Sequence, residues 1–332
     1  MSSALLSRSG NRNWRHPFEE AGSRAIVGLF FFGLLAFGLA GCGVLPAGRM
    51  PQAPAGPAAA RVDVPFFPQD ELQCGPAALA MALNWSGLAV QPAELVPEVF
   101  TPGREGSLQS ALLGAARRHG RVAYPLAGSE ALLAEIAAGH PVIVLVNLGL
   151  SWYPKWHYAV VVGYDQEAGV VFLHSGRIAN ERLPARLFLN IWQRSDSWGL
   201  LILPPSRLPA TVDEGPWLAA VTGLERVGQW PAAAAGYDAA LVRWPRSFPA
   251  WMGLGNSRFR QQDLAGAATA FHEATVLQPD NPAAWNNLAH VLGRLGRRDE
   301  ALAAARRAVA LGGSFLEQAR QTLREIEGMP GY

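Results

Sequence analysis

Lysine occurs once in these 332 residues, at Lys155, and cysteine only twice, at Cys42 and Cys74. Just 16% of the chain is charged while 50% is apolar, which argues for a folded core and against wholesale disorder. Residues 1–41 hold Arg8, Arg12, Arg15 and Arg24 with Glu19 and Glu20. The remainder of the chain carries 24 basic and 24 acidic side chains, so no basic stripe is left to attract nucleic acid. The seven histidines fall in no spaced cluster, and a single cysteine beyond residue 42 cannot complete a zinc site. No glycine-rich loop ends in Gly-Lys-Ser/Thr, which excludes a P-loop for nucleotide. The expectation is therefore no cofactor and no metal, and neither nucleic acid nor nucleotide as a partner.

What the chain does have begins with Ala25–Ala40, an uncharged apolar run behind an arginine-bearing segment, ending in Leu39-Ala40-Gly41-Cys42. The ending resembles a bacterial lipobox, which implies a lipoprotein signal peptide over residues 1–41 and lipidation of Cys42. An uncleaved anchor is the other reading, since residues 25–48 are long enough to span ~30 Å of hydrocarbon at ~1.5 Å per residue. Arginines stay cytoplasmic in both cases, so the remainder is exported. Gly43 where an Asp would retain the protein favours the outer membrane, by resemblance to Gram-negative lipoproteins. The expected location is the cell envelope, lipid-anchored in the periplasm. Residues 42–61, with four prolines among Ala and Gly, read as a Pro/Ala-rich tether. Acylation of Cys42 would leave Cys74 as the only free thiol of the mature chain.

Residues 62–205 alternate helix and strand signals. Pro76–Trp85 is made of good helix formers, and Pro76 is tolerated in a first turn. Cys74 sits where that helix begins, so the free N–H groups and positive dipole end are expected to favour its thiolate. Further helices are expected at 93–100, from Ser107 as N-cap to His119, at 130–138 and at 184–194, with strands at 121–126, 141–146 and 198–203. His157 heads a β-branched strand that pairs with Val170–His174 around a turn at Asp165–Gly169. A nucleophile on an early helix and a histidine on a later antiparallel sheet is the papain-like order.

Val64-Pro-Phe-Phe-Pro-Gln69, Cys74-Gly-Pro-Ala-Ala78 and His157-Tyr-Ala-Val-Val-Val-Gly-Tyr164 together resemble the bacteriocin-processing peptidases. These are papain-like cysteine peptidases that cut after a double-glycine leader. The resemblance implies Cys74 as nucleophile, His157 as base and the Gln69 amide as oxyanion donor, with Gln73 as the local rival for that place. Where members carry Asp-Pro, this chain reads His174-Ser175. The hairpin folds that pair back beside His157, so His174 is the candidate for orienting it, with Asn180 and Asn190 as alternatives. Asp165 lies at the far end of the strand and reads as a turn residue. Trp152, Tyr153 and Trp156 are expected to narrow the cleft around a side-chain-poor substrate, or else to cover the sheet edge.

Beyond residue 213 a repeat takes over. Trp217, Trp251 and Trp285 are spaced by 34 residues, as are Pro245 and Pro279, and small residues recur at Ala233, Ala267 and Ala301. That period identifies tetratricopeptide repeats, three of them over 214–328 with a capping helix at 315–327. The expected fold is an α+β papain-like cysteine peptidase domain followed by an all-α tetratricopeptide-repeat domain. The expected function is a membrane-tethered cysteine peptidase acting on a protein or peptide substrate held by the repeats. The competing one is a catalytically degenerate scaffold.

Overall fold

The computed structural model describes residues 56–69, 72–104 and 106–328. The segment expected to be a signal peptide, Cys42 and most of the expected tether lie outside the described residues, and no described helix is long and apolar enough to cross a membrane. Strand β1 (Ala59–Arg61) precedes helices α1 (Cys74–Trp85) and α2 (Pro92–Val99). A short ribbon, β2 (Phe100–Thr101) and β3 (Gly106–Ser107), leads into α3 (Gln109–Arg118). The rest of the first half is β4 (Val122–Ala127), α4 (Ser129–Ala137), β5 (Val142–Asn147), β6 (Trp156–Asp165), β7 (Val170–Ser175), β8 (Ile178–Pro184), α5 (Ala185–Gln193) and β9 (Trp198–Leu203).

Seven strands form one antiparallel sheet in the order β4-β9-β5-β6-β7-β8, with β1 beside the far half of β6, where β5 has ended. Period-two alternation along β6 builds a core on each face. Tyr158, Val160 and Val162 meet the buried run Ala77–Leu83 of α1. Ala159 and Val161 face the other way, toward Leu132 and Ile136 of α4 and Phe188 and Trp192 of α5. Burying a side chain of that size contributes ~1.5–3 kcal/mol. Trp192 loses no hydrogen bond in the process, since its Nε1 donates to the Trp198 carbonyl at 2.7 Å.

Three expectations change. Residues 59–61, read as the end of the tether, are a sheet strand. Ser107 is not a helix cap: it pairs with Phe100 in the ribbon, and Leu108 occupies the cap position. Residues 178–184, for which the sequence predicts no element, form edge strand β8. Its polar Asn180-Glu181-Arg182 carries no apolar alternation that would mark a strand.

The repeats form three successive helix pairs, α6 (Glu214–Glu225) with α7 (Trp230–Arg243), α8 (Phe248–Arg260) with α9 (Leu264–Leu277), and α10 (Pro282–Arg294) with α11 (Arg298–Leu311). Helix α12 (Leu316–Glu327) packs over the last pair. Trp251 Nε1 donates to the Pro245 carbonyl at 3.0 Å and Trp285 Nε1 to that of Pro279 at 2.8 Å, so the two residue types share a period because they share a bond. Trp217 departs from this. It is fully buried and donates instead to Gly236 O at 2.9 Å.

The departure arises from a junction. Helix α6 lies on edge strand β4, and Trp217, Val221 and Leu224 belong to one continuous core with Val122, Tyr124 and Leu126. The fully buried Glu135 of α4 accepts four bonds there, from His140 Nδ1 at 2.7 Å and from Ala210 N, Thr211 N and Thr211 Oγ1 at 3.0 Å each. Gln229 Nε2 adds a bond to Arg118 O at 2.6 Å.

Candidate active site

Helix α1 starts at Cys74 itself, two residues ahead of Pro76. The backbone N–H groups of Cys74 and Gly75, unused by the helix, and that of Tyr158 on β6 point at the thiol. Residue 75 must be small, because a Cβ there would strike Oγ and Cβ of Ser107 on β3. Upstream, Leu72 adopts φ +65°, a left-handed conformation that costs ~1 kcal/mol or more for a residue with a Cβ. That turn lies within the short link from Gln69 to Cys74, and both of these residues line one cleft of about 890 Å³.

Gln69 is buried and held from two sides. Its Oε1 accepts from Gly176 N at 2.9 Å, and Nε2 donates one hydrogen to Tyr158 O at 3.2 Å. An amide nitrogen carries two hydrogens, so one remains for a ligand. Gln73 does not line the cleft. Ser107 Oγ, on the cleft wall, is buried and has no protein partner.

His157 lines the same cleft, and its Nε2 lies 3.1 Å from Ser175 Oγ. Ser175 is the residue that touches it; His174 is not. His174 Nε2 donates to Val64 O at 2.9 Å, and its Nδ1 accepts from Asn180 N at 3.1 Å, while its ring packs edge-on against Phe66. Register gives the reason. Val160 pairs with His174, and paired residues share a face, so His174 points with Val160 toward the α1 side. His157, three residues before Val160, and Ser175, one after His174, take the other face together; His157 stands at the start of β6, where the cleft that holds Cys74 wraps the strand's end and reaches it. Asn180 is spent on His174 and Arg61, and Asn190 is exposed on α5; neither bonds to His157. Asp165 sits at the far end of β6 and caps the turn by accepting from Ala168 N.

Charge also departs from expectation. Burial pushes the Cys74 thiol above its ordinary value, against the pull of the three N–H groups. Burial, with Lys155 adding to it, pushes the His157 imidazole below its own. Both shifts favour a neutral thiol beside a neutral imidazole at pH 7, not a resting thiolate–imidazolium pair. Among the described residues, no hydrogen bond joins Cys74 to His157 and no carboxylate bonds to His157. Of the three aromatics, only Trp156 lines the cleft. Trp152 and Tyr153 are 80% and 74% exposed, so they neither narrow the cleft nor cover the sheet.

Fold and cleft together define a C39-like peptidase domain followed by tetratricopeptide repeats. Residues 61–197 match the model of the Peptidase_C39 like family, and residues 218–282 and 254–314 match that of the tetratricopeptide repeat. A C39-like protein from Bacillus anthracis is 21% identical, over 44% of this chain and 97% of its own, with a TM-score of 0.37. The double glycine motif protease of an AMS/PCAT transporter, solved with its leader peptide, is 22% identical over 43% of this chain and 93% of its own (TM-score 0.36). The repeats are similar to the type III secretion chaperone SycD of Yersinia enterocolitica, solved with a peptide of the translocator YopD. That similarity is 18% identity over 34% of this chain and 91% of the other, with a TM-score of 0.33. No curated protein matches the chain.

Proposed function

We propose that the protein is a cysteine peptidase, held at a membrane through Cys42, that hydrolyses a peptide bond in substrates gripped by its repeats. The observation that carries this reading is the single cleft holding the Cys74 thiol under three backbone N–H groups, with His157 and the half-used Gln69 amide on its wall. His157 takes the proton of Cys74, and the sulfur attacks the substrate carbonyl. The Cys74 N–H and the free Gln69 hydrogen receive the oxyanion, each such donor being worth ~3 kcal/mol of barrier. The imidazolium then protonates the leaving amine, and a water activated by His157 cleaves the thioester. Cleavage after small residues, Gly-Gly first among them, follows from the resemblance to leader-processing peptidases. Ser175 fixes the ring of His157 but cannot stabilise its charge as a carboxylate would, which sets a modest rate.

That same absence of a carboxylate supports the second reading, a scaffold that binds partners and cuts nothing. Labelling the full-length protein with a thiol-directed electrophile separates the two. On the peptidase reading Cys74 is marked and the labelling is lost in His157→Ala; equal labelling of both proteins removes the base. A Cys74→Ala pull-down should then retain a partner that the active protein cleaves. For the anchor, Cys42→Ser should leave an unacylated precursor, and an unchanged mass would point to an uncleaved span.

A further inference from the structure

Five large apolar side chains stand exposed on the connection between β5 and β6 and the first residue of β6: Leu148 (51%), Leu150 (53%), Trp152 (80%), Tyr153 (74%) and Trp156 (51%). Their exposure does not come from a loose loop. Leu150 and Tyr153 exchange both backbone bonds at 3.1 Å, and Leu148 N donates to Lys155 O at 2.9 Å. The buried Asn147 accepts from Gly149 N and Lys155 N at 2.9 Å each, and Arg194 donates to Gly149 O at 2.6 Å. The connection is a small hairpin, tied by backbone and side-chain bonds, that holds its aromatics out in water. An apolar patch built this firmly is a surface for something else.

Two observations say what covers it. Tryptophan, tyrosine and leucine with one lysine at their edge match the residues that sit at the level of lipid headgroups, and no acidic residue occurs from Pro141 to Tyr164 to oppose an anionic surface. The second is the length of the tether. Residue 56 enters at the Asp165 end of β6, where β1 pairs, while the hairpin leaves the Trp156 end. Ten residues of strand place those ends about 30 Å apart at ~3.3 Å per residue. Fourteen residues separate Cys42 from Gly56 and reach up to about 49 Å at ~3.5 Å each, enough to lead back past the hairpin.

We infer that the hairpin 148–156 seats in the surface of the bilayer that holds Cys42, turning the mouth of the cleft toward the membrane. This rests on the lipid-anchored reading above. It assigns to the cleft a substrate class: polypeptides that emerge from, or lie along, that bilayer.

The test uses the full-length, acylated protein in vesicles of phosphatidylethanolamine and phosphatidylglycerol whose acyl chains carry bromine, which quenches tryptophan on contact. Trp152 and Trp156 are two of the ten tryptophans that remain once residues 1–41, with Trp14, are removed. The quenched fraction is expected to fall at least threefold in W152S/Y153S/W156S, whose changes lie on the surface and leave the far-ultraviolet spectrum unaltered. Deleting residues 46–53 keeps the anchor but leaves six residues reaching only about 21 Å, so quenching should fall equally. Protein that floats with the vesicles, yet is quenched alike in all three forms, overturns the docking and leaves the anchor standing. Protein that does not float overturns both. Unquenched parent protein whose triple variant cleaves a soluble peptide more slowly assigns the hairpin to substrate and overturns the bilayer.

Discussion

Substituting Ser175 and His174 separately tests which residue steers His157. The Ser175 hydroxyl, 3.1 Å from Nε2, makes a neutral hydrogen bond with a net value of ~0.5–1.5 kcal/mol. Its loss in Ser175→Ala should slow alkylation of Cys74 by roughly 2- to 12-fold at pH 7, since 1.4 kcal/mol is a factor of about ten. Ser175→Asp should act in the opposite direction. A carboxylate ~3.5 Å from the ring attracts an imidazolium by ~5 kcal/mol at an effective dielectric of ~20. Desolvation removes most of that, leaving a rise of ~1–3 pKa units in the imidazole. Each unit favours the thiolate–imidazolium pair tenfold, so alkylation at pH 7 should rise by about tenfold or more. In the parent protein the raised thiol and lowered imidazole require the alkylation rate to keep climbing above pH 8; in Ser175→Asp it should level off at lower pH. His174→Ala should leave the rate within about twofold but cost ~1–3 kcal/mol of stability, as Val64 O and Asn180 N lose their partner. The assay is the rate of iodoacetamide labelling against pH, with urea unfolding alongside. A slowing in His174→Ala equal to that in Ser175→Ala, or no acceleration in Ser175→Asp, would refute the assignment.

Glu135→Gln sets an amide's hydrogens against two of the four donors at the junction and should lower unfolding stability by ~3 kcal/mol at pH 7, measured in urea. The Glu135 carboxyl is held below its ordinary value by those bonds in spite of burial. Its contribution is therefore present above the unfolded-state pKa of ~4.3 and fades as pH falls through the lower folded value, and an acid titration of the parent that Glu135→Gln leaves unchanged would contradict it. Gly75→Ala should lower the melting temperature through its collision with Ser107, and Ser107→Gly in the same chain should recover most of the loss; no recovery would place the strain elsewhere. Trp251→Phe removes the bond to Pro245 and should destabilise by ~1 kcal/mol, whereas Trp217→Phe at the core junction should cost more; equal values by calorimetry would mean the junction adds nothing.

The parts of the molecule visible in the sequence are those written as periods or as pairs of scarce residues. Three tryptophans at one interval marked the repeats, although only Trp251 and Trp285 make the same bond and Trp217 is turned into the junction. Scarcity marked Cys74, and the β-branched run after His157 marked its strand. Ser175 was missed by one residue. The hairpin brings 174–176 alongside His157, but which of them faces it depends on pairing register, and a shift of one residue exchanges the faces. Exposed strand β8 and the three-residue β1 left no apolar alternation to read. The thiol's charge state was equally hidden, since helix position is legible in sequence while burial, which outweighs it here, is a property of the assembled fold.

A core that runs unbroken from the sheet into the first helix pair leaves no hinge between the two halves. On the proposed reading the repeat array would therefore work as a fixed ruler whose zero mark is the cleft. A substrate would then be selected by spacing, its gripped segment lying a set length of chain from the bond to be cut, and an insertion between the two would abolish cleavage without weakening capture. The same continuity makes the array a structural creditor of the sheet. Truncation ahead of α6 would expose the strand face covered by Trp217, Val221 and Leu224, so the two halves should melt in one transition.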